Sequence, residues 1–339
     1  CALPIRGTNN GGMFGPNSTN VKTTNTYIAD GSWSDVSANT YLTGTPTETT
    51  PVGSVWTDYN LPNNTPYMLS SFKIDEINST STLTNNTLSL LNWPVTVQGG
   101  TSGSPVILTF GNSFTFTDSS QYFIIGSEYI TINGYRNTTT INGVTSYPGL
   151  IQNGTSDAYG YSNVTIEHIF MDASNNATLA EYGGWIGQQY FAYGVQSNVI
   201  TNCNTSGDIG GEYSGGISGY AGGLGVSDGS GNLGQLTIRQ CYSNGAIGTT
   251  DVSGCGGICG ASAGANSGSV LISNCYSTGA ISGINSGGIS GSETANNSGT
   301  ALITNCYSTG AITGSGAGGI CGSSSQGATL ENTYFTNNS

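Results

Sequence analysis

The stretch Leu271–Gly283, LISNCYSTGAISG, returns almost unchanged as Leu302–Gly314, LITNCYSTGAITG. The two copies lie 31 residues apart and differ at two positions, each an exchange of Ser for Thr. Weaker copies precede them at intervals of 34 to 38 residues, with leading apolar residues at Ile132, Ile166, Ile200 and Ile238. A period of this size, kept over about 200 residues, is typical of stacked coils rather than of a globular core.

Each coil is predicted to hold three short strands. In one coil they are Leu236–Ile238, Cys241–Ile247 and Gly256–Gly260. Alternation along the second strand directs its Cys, Ser, Gly and Ile residues inward and its Tyr outward. Small inward residues of this kind suit a narrow interior.

A corner is expected between the first two strands, because two intervening residues break the alternation. The inward residue after this corner is Tyr135 in the earliest coil. The second corner position carries an amide in later coils: Asn202, Gln240, Asn274, Asn305 and Asn332. Amides tolerate strained turns and, when stacked, hydrogen-bond to neighbouring coils. His168 occupies the same position, so a turn-stacking role is favoured over that of a general base beside Glu167.

These features resemble right-handed parallel β-helix proteins, whose asparagine corner ladders follow this pattern. The pairing of GGI(S/C)G with NCYSTGAI resembles the GLUG-type repeats of large surface proteins, over residues 183–335. The resemblance implies an all-β, pectin-lyase-like solenoid with three short strands per coil, which we place over residues 69–339. Residues 1–68 are rich in turn signals and are predicted to form a β-rich cap over the first sheet edge.

The segment before the regular coils is also predicted to form strands. Four runs of β-branched and aromatic residues indicate them: Pro94–Gln98, Pro105–Phe110, Ser113–Thr117 and Gln121–Ile125. Sustained helical periodicity is missing throughout, with Asp75–Leu91 the weakest exclusion. Gly/Ser-rich insertions at 220–235 and 260–269 are predicted to protrude as loops.

Charge excludes several classes of function. Five Lys+Arg against 18 Asp+Glu give a formal net charge of −13, so no basic surface is available for nucleic acid or for an anionic membrane. No apolar run approaches the length of a membrane span. The scarcity of lysine predicts an exported protein, located outside the cell, at the cell surface or on a virion. Cys1 fits either a lipidated N-terminus or a fragment boundary.

Cysteines recur at one position of successive coils: Cys203, Cys241, Cys275 and Cys306. Strand spacing brings them within disulfide range, but parallel side chains give poor dihedral geometry, so a buried ladder of free thiols is predicted. Cys259 and Cys321 lie two coils apart and are not expected to pair, whereas Cys255 and Cys259 are close enough in sequence for a local bridge. No metal site and no cofactor is predicted.

Aromatic residues supply the binding candidates. One cluster lies within twelve residues of sequence: Tyr182, Trp185, Tyr190, Phe191 and Tyr193. A second set, one per coil, is predicted to form an outward ladder: Tyr242, Tyr276, Tyr307 and Tyr334. Aromatic faces bind sugar rings and partner proteins, although stacked tyrosines also stabilise consecutive coils. Glycans and other surface proteins are therefore candidate partners, beside further copies of the chain.

Eleven Asn-X-Ser/Thr sequons occur in the sequence. Chance alone would give roughly nine with this much Asn, Ser and Thr, so the count permits glycosylation without establishing it. Ten are candidate glycosylation sites: Asn17, Asn63, Asn78, Asn85, Asn137, Asn153, Asn163, Asn176, Asn204 and Asn296.

The sequence predicts a non-enzymatic, extracellular structural or adhesive surface protein that assembles into a fibre or filament through its solenoid ends. One alternative is a glycan-binding adhesin that works as a single solenoid. Another is a polysaccharide lyase or glycoside hydrolase. Hydrolases need paired carboxylates, whereas the carboxylates here are scattered. Lyases that resemble pectate lyase generally need a basic residue, and Arg136 and Arg239 lie three coils apart and form no basic cleft. No catalytic residue is predicted.

Overall fold

The computed structural model describes residues 73–226 and 233–336, together with four short strands nearer the N-terminus. The predicted cap over residues 1–68 therefore lies outside the described residues, except for these short strands. The strands are β1 Thr26–Ala29, β2 Thr40–Thr43, β3 Trp56–Thr57, β4 Met68–Leu69, β5 Ile74–Ile77, β6 Ser81–Leu83, β7 Leu91–Val97, β8 Val106–Phe110, β9 Phe114–Phe116, β10 Phe123–Ile125, β11 Ile130–Asn133, β12 Thr138–Asn142, β13 Ile151–Gln152, β14 Thr165–Glu167, β15 Phe170–Asn175, β16 Asn198–Thr201, β17 Asn204–Thr205, β18 Gln235–Arg239, β19 Tyr242–Ser243, β20 Ser269–Ser273, β21 Tyr276–Ser277, β22 Thr300–Thr304, β23 Tyr307–Ser308, β24 Ala328–Glu331 and β25 Tyr334–Phe335.

The chain divides into two units, residues 1–74 with 85–92, and residues 75–84 with 93–339. In the first unit β1 pairs in parallel with β2, and β3 pairs antiparallel with β4. A single helical turn, α1 (Asn85–Leu88), lies in the segment where the sequence excludes a helix least firmly.

The second unit is a solenoid of parallel strands, which confirms the predicted fold class. A nine-stranded sheet runs β6-β8-β11-β14-β16-β18-β20-β22-β24, an eight-stranded sheet runs β9-β12-β15-β17-β19-β21-β23-β25, and a four-stranded sheet runs β5-β7-β10-β13. The leading isoleucines of the sequence repeat lie opposite one another in this register, including Ile238↔Ile272 and Ile272↔Ile303. The predicted right-handed winding stays a prediction.

The second and third strands are shorter than predicted. The run predicted as Cys241–Ile247 contains only β19, after which Ile247 forms isolated bridges to Ile209 and Ile281. The Gly-Gly-Ile segments are not strands either; each is held by bridges at its two ends, as in Gly256↔Gly287 and Cys259↔Ser290. Inward and outward residues nevertheless alternate from Cys241 to Ile247, because the chain stays extended enough between bridges.

Residues with positive φ close the corner between the first two faces. His168 and the five amides of the predicted corner column have φ between 48° and 55°. This conformation lets the corner N–H of every coil before the last described one donate to a carbonyl of the next coil, as from Asn274 to Thr304 over 3.1 Å. Two stacked corner amides also form a side-chain hydrogen bond, in which Asn332 Nδ2 donates to Asn305 Oδ1 over 3.3 Å.

The earliest corner differs from the prediction. The repeat predicts an inward Tyr135, but this side chain is 71% exposed and the residue has a φ of 50°. Pairing of Asn133 with Glu167 and of Thr138 with Phe170 leaves four residues in this corner where the next coil has two. The extra length carries Tyr135 out of the interior.

The interior narrows along the chain. In the first coils it holds aromatic side chains, such as Phe110 and Phe123, whose ring centroids lie 5.9 Å apart. In later coils a glycine lies two residues after the inward residue of each short strand of the eight-stranded sheet: Gly207, Gly245, Gly279 and Gly310. A Cβ on Gly245, Gly279 or Gly310 would overlap the carbonyl oxygen of the glycine before it. Only glycine therefore allows adjacent coils to approach this closely.

The segment 260–269 does not protrude as predicted. Ala261, Ala263 and Ala265 are buried, and the backbone of this segment pairs with the coils on both sides, as in Ala221 N to Ala261 O at 2.8 Å. Residues 220–226 stack in the same way, while 227–232 lie outside the described residues. The described parts of both insertions therefore form a fourth side of the coil and do not protrude as free loops.

Candidate functional site

Six tyrosines from three consecutive coils form one connected group on the solenoid, which we call the tyrosine surface. Its members are Tyr159, Tyr182, Tyr190, Tyr193, Tyr213 and Tyr220. Ring centroids along this group lie 5.2 to 6.3 Å apart, mostly in edge-to-face or tilted geometry. Such contacts stabilise aromatic pairs beyond the area they bury, so the rings hold one another in place.

Two of these tyrosines come from a repeated Glu-Tyr pair that precedes the glycine-rich segment. Tyr182 and Tyr213 follow Glu181 and Glu212, and their φ angles are 62° and 57°. The N–H of Tyr182 donates to the Glu212 carbonyl over 2.7 Å, and the two rings stack with an interplanar angle of 15°. The next residue of this column is Gly254, where a Cβ would lie 2.5 Å from the Tyr213 ring.

The other rings rest on small residues. Tyr190, Tyr193 and Tyr220 pack against a buried base of Ala221, Leu224 and Ala265. Tyr159 is 45% exposed and lies over Gly194, where a Cβ would be 2.8 Å from its ring. The lack of a side chain at Gly194 therefore makes room for the Tyr159 ring.

Carboxylates border the tyrosine surface. Burial, the neighbouring tyrosines and Asp157 raise the pKa of Tyr190 above its usual value. Burial and then Glu212, Tyr182 and Glu293 raise the pKa of Tyr213. These hydroxyls therefore stay protonated, and able to donate hydrogen bonds, to a higher pH than an ordinary tyrosine. Residues 153–161, 181–194 and 212–225 contain no Lys or Arg.

The structure corrects part of the predicted aromatic cluster. Trp185 and Phe191 are fully buried and are not available to a ligand. The Trp185 indole donates to the Gly207 carbonyl over 3.1 Å and stacks near Tyr147. Trp185 points inward because it occupies the interior position next to Gly207, which leaves the space its ring fills.

The remaining tyrosines of that cluster lie on the surface together with three that sequence reasoning missed: Tyr159, Tyr213 and Tyr220. A usable signal was present for Tyr213, since EYGG at 181–184 and EYSGG at 212–216 are visible repeats. Tyr159 and Tyr220 carry no comparable signal, because they reach the group only through the stacking of coils.

The outward ladder contains closely stacked rings. Tyr242, Tyr276 and Tyr307 lie 4.9 Å apart with interplanar angles of 5° and 1°. Burial and then the two flanking rings raise the pKa of Tyr276. Tyr334 pairs with Tyr307 in the backbone register and is 69% exposed. Rings stacked this closely cover one another's faces, so mainly their edges are left for a ligand. This arrangement favours a role as a stabilising ladder.

The cysteine column is a set of buried free thiols. Each thiol donates to the carbonyl two residues before it over 3.2 Å, namely Cys203 to Thr201, Cys241 to Arg239, Cys275 to Ser273 and Cys306 to Thr304. Cys255, Cys259 and Cys321 are also free. The local bridge left open between Cys255 and Cys259 is therefore not formed, and Cys255 donates to the Gly211 carbonyl instead.

The thiols are expected to be unreactive in the folded chain. Burial raises the pKa of Cys259 to about 12, so the nucleophilic thiolate is scarce. Iodoacetamide at about pH 8 should label Cys259 at least about 100-fold more slowly in native protein than in guanidinium, as read by peptide mass spectrometry. Comparable rates would contradict the buried position.

The same shift predicts an alkaline limit. The Cys259 thiol has a higher pKa in the folded chain than in the unfolded chain. Its contribution to the free energy of unfolding is therefore complete below its ordinary pKa of 9.0 and is lost as pH rises towards about 12. The thermal midpoint of unfolding should fall over that window.

The candidate glycosylation sites differ in access. Asn153 is fully buried; its Nδ2 donates to the Tyr161 carbonyl over 3.0 Å and its Oδ1 accepts from the Tyr161 N–H over 2.7 Å, so no glycan fits there. Asn78, Asn85 and Asn176 are exposed, and Asn137, Asn163, Asn204 and Asn296 are half-buried. Asn17 and Asn63 lie outside the described residues.

Glu167 and His168, weighed as a catalytic pair, lie at the corner between the first two faces. Glu167 Oε1 accepts from Asn133 Nδ2 over 2.8 Å, and His168 lies in its corner with a φ of 54°. Among the described residues there is no group of three or more His, Cys, Asp or Glu side chains arranged to hold a metal. Within the same residues, no helix has the length and apolar character to cross a membrane.

Comparison with known proteins leaves the family open. No protein-family model matches the chain, and no curated protein matches it, so the resemblance to GLUG-type repeats stays an expectation. A solved structure named "putative immunoglobulin A1 protease from Bacteroides ovatus" is similar to 70% of this chain and 76% of its own, with 20% sequence identity and a TM-score of 0.39. A similarity of that degree says nothing about activity.

Proposed function

We propose that the chain is a non-enzymatic structural component of an extracellular surface, on a cell or a virion, that associates with further copies of itself through the edge of its solenoid. The observation that supports this function is an apolar coil edge. β24 and β25 are the last strands in the nine-stranded and eight-stranded sheets. Three of their apolar side chains are exposed, Leu330 by 47%, Tyr334 by 69% and Phe335 by 58%.

Two of these three positions are covered in the preceding coil. Leu330 lies opposite Ile303, and Phe335 lies opposite Ser308; both partners are buried. Burying such side chains contributes about 25 cal/mol per Å², and the strands beside them present backbone groups to one side. An exposed apolar strand edge of this kind is covered either by a further coil of the same protein or by another chain, and the proposal takes the second case.

The relative orientation of the two copies at this contact decides which assembly forms. A head-to-tail contact repeats and gives a growing series, whereas a head-to-head contact closes at a dimer. The proposal of a filament corresponds to the first case.

Light scattering and negative-stain microscopy over a range of concentrations test this function. The unmodified chain should gain mass with concentration in steps of one chain, and Leu330→Lys with Phe335→Lys should hold it at the mass of one chain, because charge on an edge opposes pairing. Tyr135→Lys, at an exposed corner far along the sequence from the edge, is the matched control and should leave assembly unchanged. A constant single-chain mass for the unmodified protein would rule the proposal out.

A further inference from the structure

We propose that the tyrosine surface is a docking site for a basic peptide segment, rich in arginine, of a partner protein. This inference is independent of self-association through the coil edge. It goes beyond that function because the tyrosine surface lies on the side of the coils rather than at β24 and β25.

The first argument is that the site is built before any partner arrives. The rings are fixed by contacts with one another and by the base of Ala221, Leu224 and Ala265. The backbone beneath Tyr182 and Tyr213 is pinned to neighbouring coils through bonds such as Tyr213 N to Ser253 O at 2.8 Å. Tyrosine has few rotatable bonds, so the surface itself loses little side-chain freedom when a partner binds.

The second argument is charge. Asp157 and Glu293 are exposed and act on the pKa of Tyr190 and Tyr213, respectively. Glu212 is half-buried beside Tyr213, and Glu181 is exposed and directly precedes Tyr182. None of the four forms an ion pair with a Lys or Arg of the described residues, since the described cations, Lys73, Arg136 and Arg239, belong to other segments. The carboxylates consequently offer negative charge that the described part of the chain does not neutralise.

The third argument selects the occupant. With a net charge of −13, the chain repels anionic polymers. A neutral glycan would use the rings but leave the carboxylates without a charged partner. A guanidinium group uses both, because it lies against an aromatic ring and donates to a carboxylate through its planar fork.

The repeat provides a spacing for such a segment. Glu181–Tyr182 and Glu212–Tyr213 are consecutive rungs of one column, joined by the Tyr182 to Glu212 backbone bond of 2.7 Å. Consecutive rungs of parallel strands lie about 4.8 Å apart. Alternate residues of an extended peptide share one face and lie about 6.7 Å apart, so two arginines separated by one residue could each reach one of the two Glu-Tyr pairs through their long side chains.

Fluorescence anisotropy with a labelled octa-arginine peptide at about 150 mM salt tests the site, because surface steering is already screened there. The triple variant Asp157→Asn, Glu181→Gln, Glu212→Gln should weaken binding by about tenfold or more. The control triple Glu76→Gln, Glu128→Gln, Glu331→Gln removes the same charge elsewhere and should change binding by less than about threefold. Equal losses in the two triples would show attraction to net charge alone and would overturn the proposal.

A second variant tests the rings. Tyr159→Leu keeps an apolar side chain at an exposed position but removes the aromatic face, and it should weaken peptide binding by about threefold or more with an unchanged unfolding midpoint. Unchanged affinity would overturn the role of the rings. Binding of a neutral oligosaccharide that Tyr159→Leu weakens, together with no binding of octa-arginine, would likewise overturn the basic occupant and assign the surface to a glycan.

Discussion

Replacing Gly279 by Ala is expected to lower the free energy of unfolding by about 3 kcal/mol or more, which is at the upper end for overpacking one methyl group. The added Cβ would overlap the Gly245 carbonyl oxygen, which is backbone and has no flexible end that moves aside. The two coils would have to separate and lengthen the hydrogen bonds that run between them. Denaturant unfolding followed by circular dichroism measures the loss.

Gly210→Ala is the matched control. A methyl group added at Gly210 would meet no atom within 4 Å, and Gly210 lies outside the positive-φ set, so its replacement should be neutral or slightly stabilising. Hydrogen exchange should show the Gly279 effect in the coils that contain residues 245, 279 and 310. Equal behaviour of the two variants would contradict the close approach of the coils.

The second large effect is expected for Trp185→Ala, at about 3–5 kcal/mol, because a fully buried ring would leave a cavity. The loss includes the stacking near Tyr147 and the hydrogen bond to the Gly207 carbonyl. Trp185→Phe keeps much of the volume but not the indole N–H, and should cost about 1–2 kcal/mol, mostly for the unpaired carbonyl.

Trp185→Ala also separates the two interpretations of the aromatic cluster. If Trp185 contacted a ligand, the variant would weaken binding without changing stability. Its burial predicts the reverse: unfolding at lower denaturant concentration, with octa-arginine affinity changed only to the extent that the fold is lost. Retained stability with lost binding would contradict the buried position.

The period and the inward column were predictable from sequence because they depend on residues of one type at one spacing. Ile272 and Ile303 lie in the register that the repeat predicted, since a parallel ladder pairs equivalent positions of successive coils. Burial along Cys241–Ile247 follows the expected alternation even where the strand ends after Ser243.

The features that sequence reasoning missed depend on contacts between coils. Trp185 is buried because Gly207, 22 residues later, leaves room for it. The segment 260–269 stacks because Ala221, Ser262 and Glu293, which share no residue type, all adopt φ near 57° at equivalent turns. Propensity alone does not assign such positive φ angles to Ala, Ser or Glu, so Gly/Ser-rich composition was a poor guide there.

The near identity of Leu271–Gly283 and Leu302–Gly314 has a consequence for the length of the solenoid. A gain or loss of the 31 residues from Leu271 to Ala301 would join equivalent positions of two coils. The isoleucine, tyrosine and glycine columns would then re-pair without a new interior, since Ile272↔Ile303 and Tyr276↔Tyr307 already match. Each event would change the length of the solenoid by about 4.8 Å, so variants of different length can arise in a population without passing through a misfolded intermediate sequence.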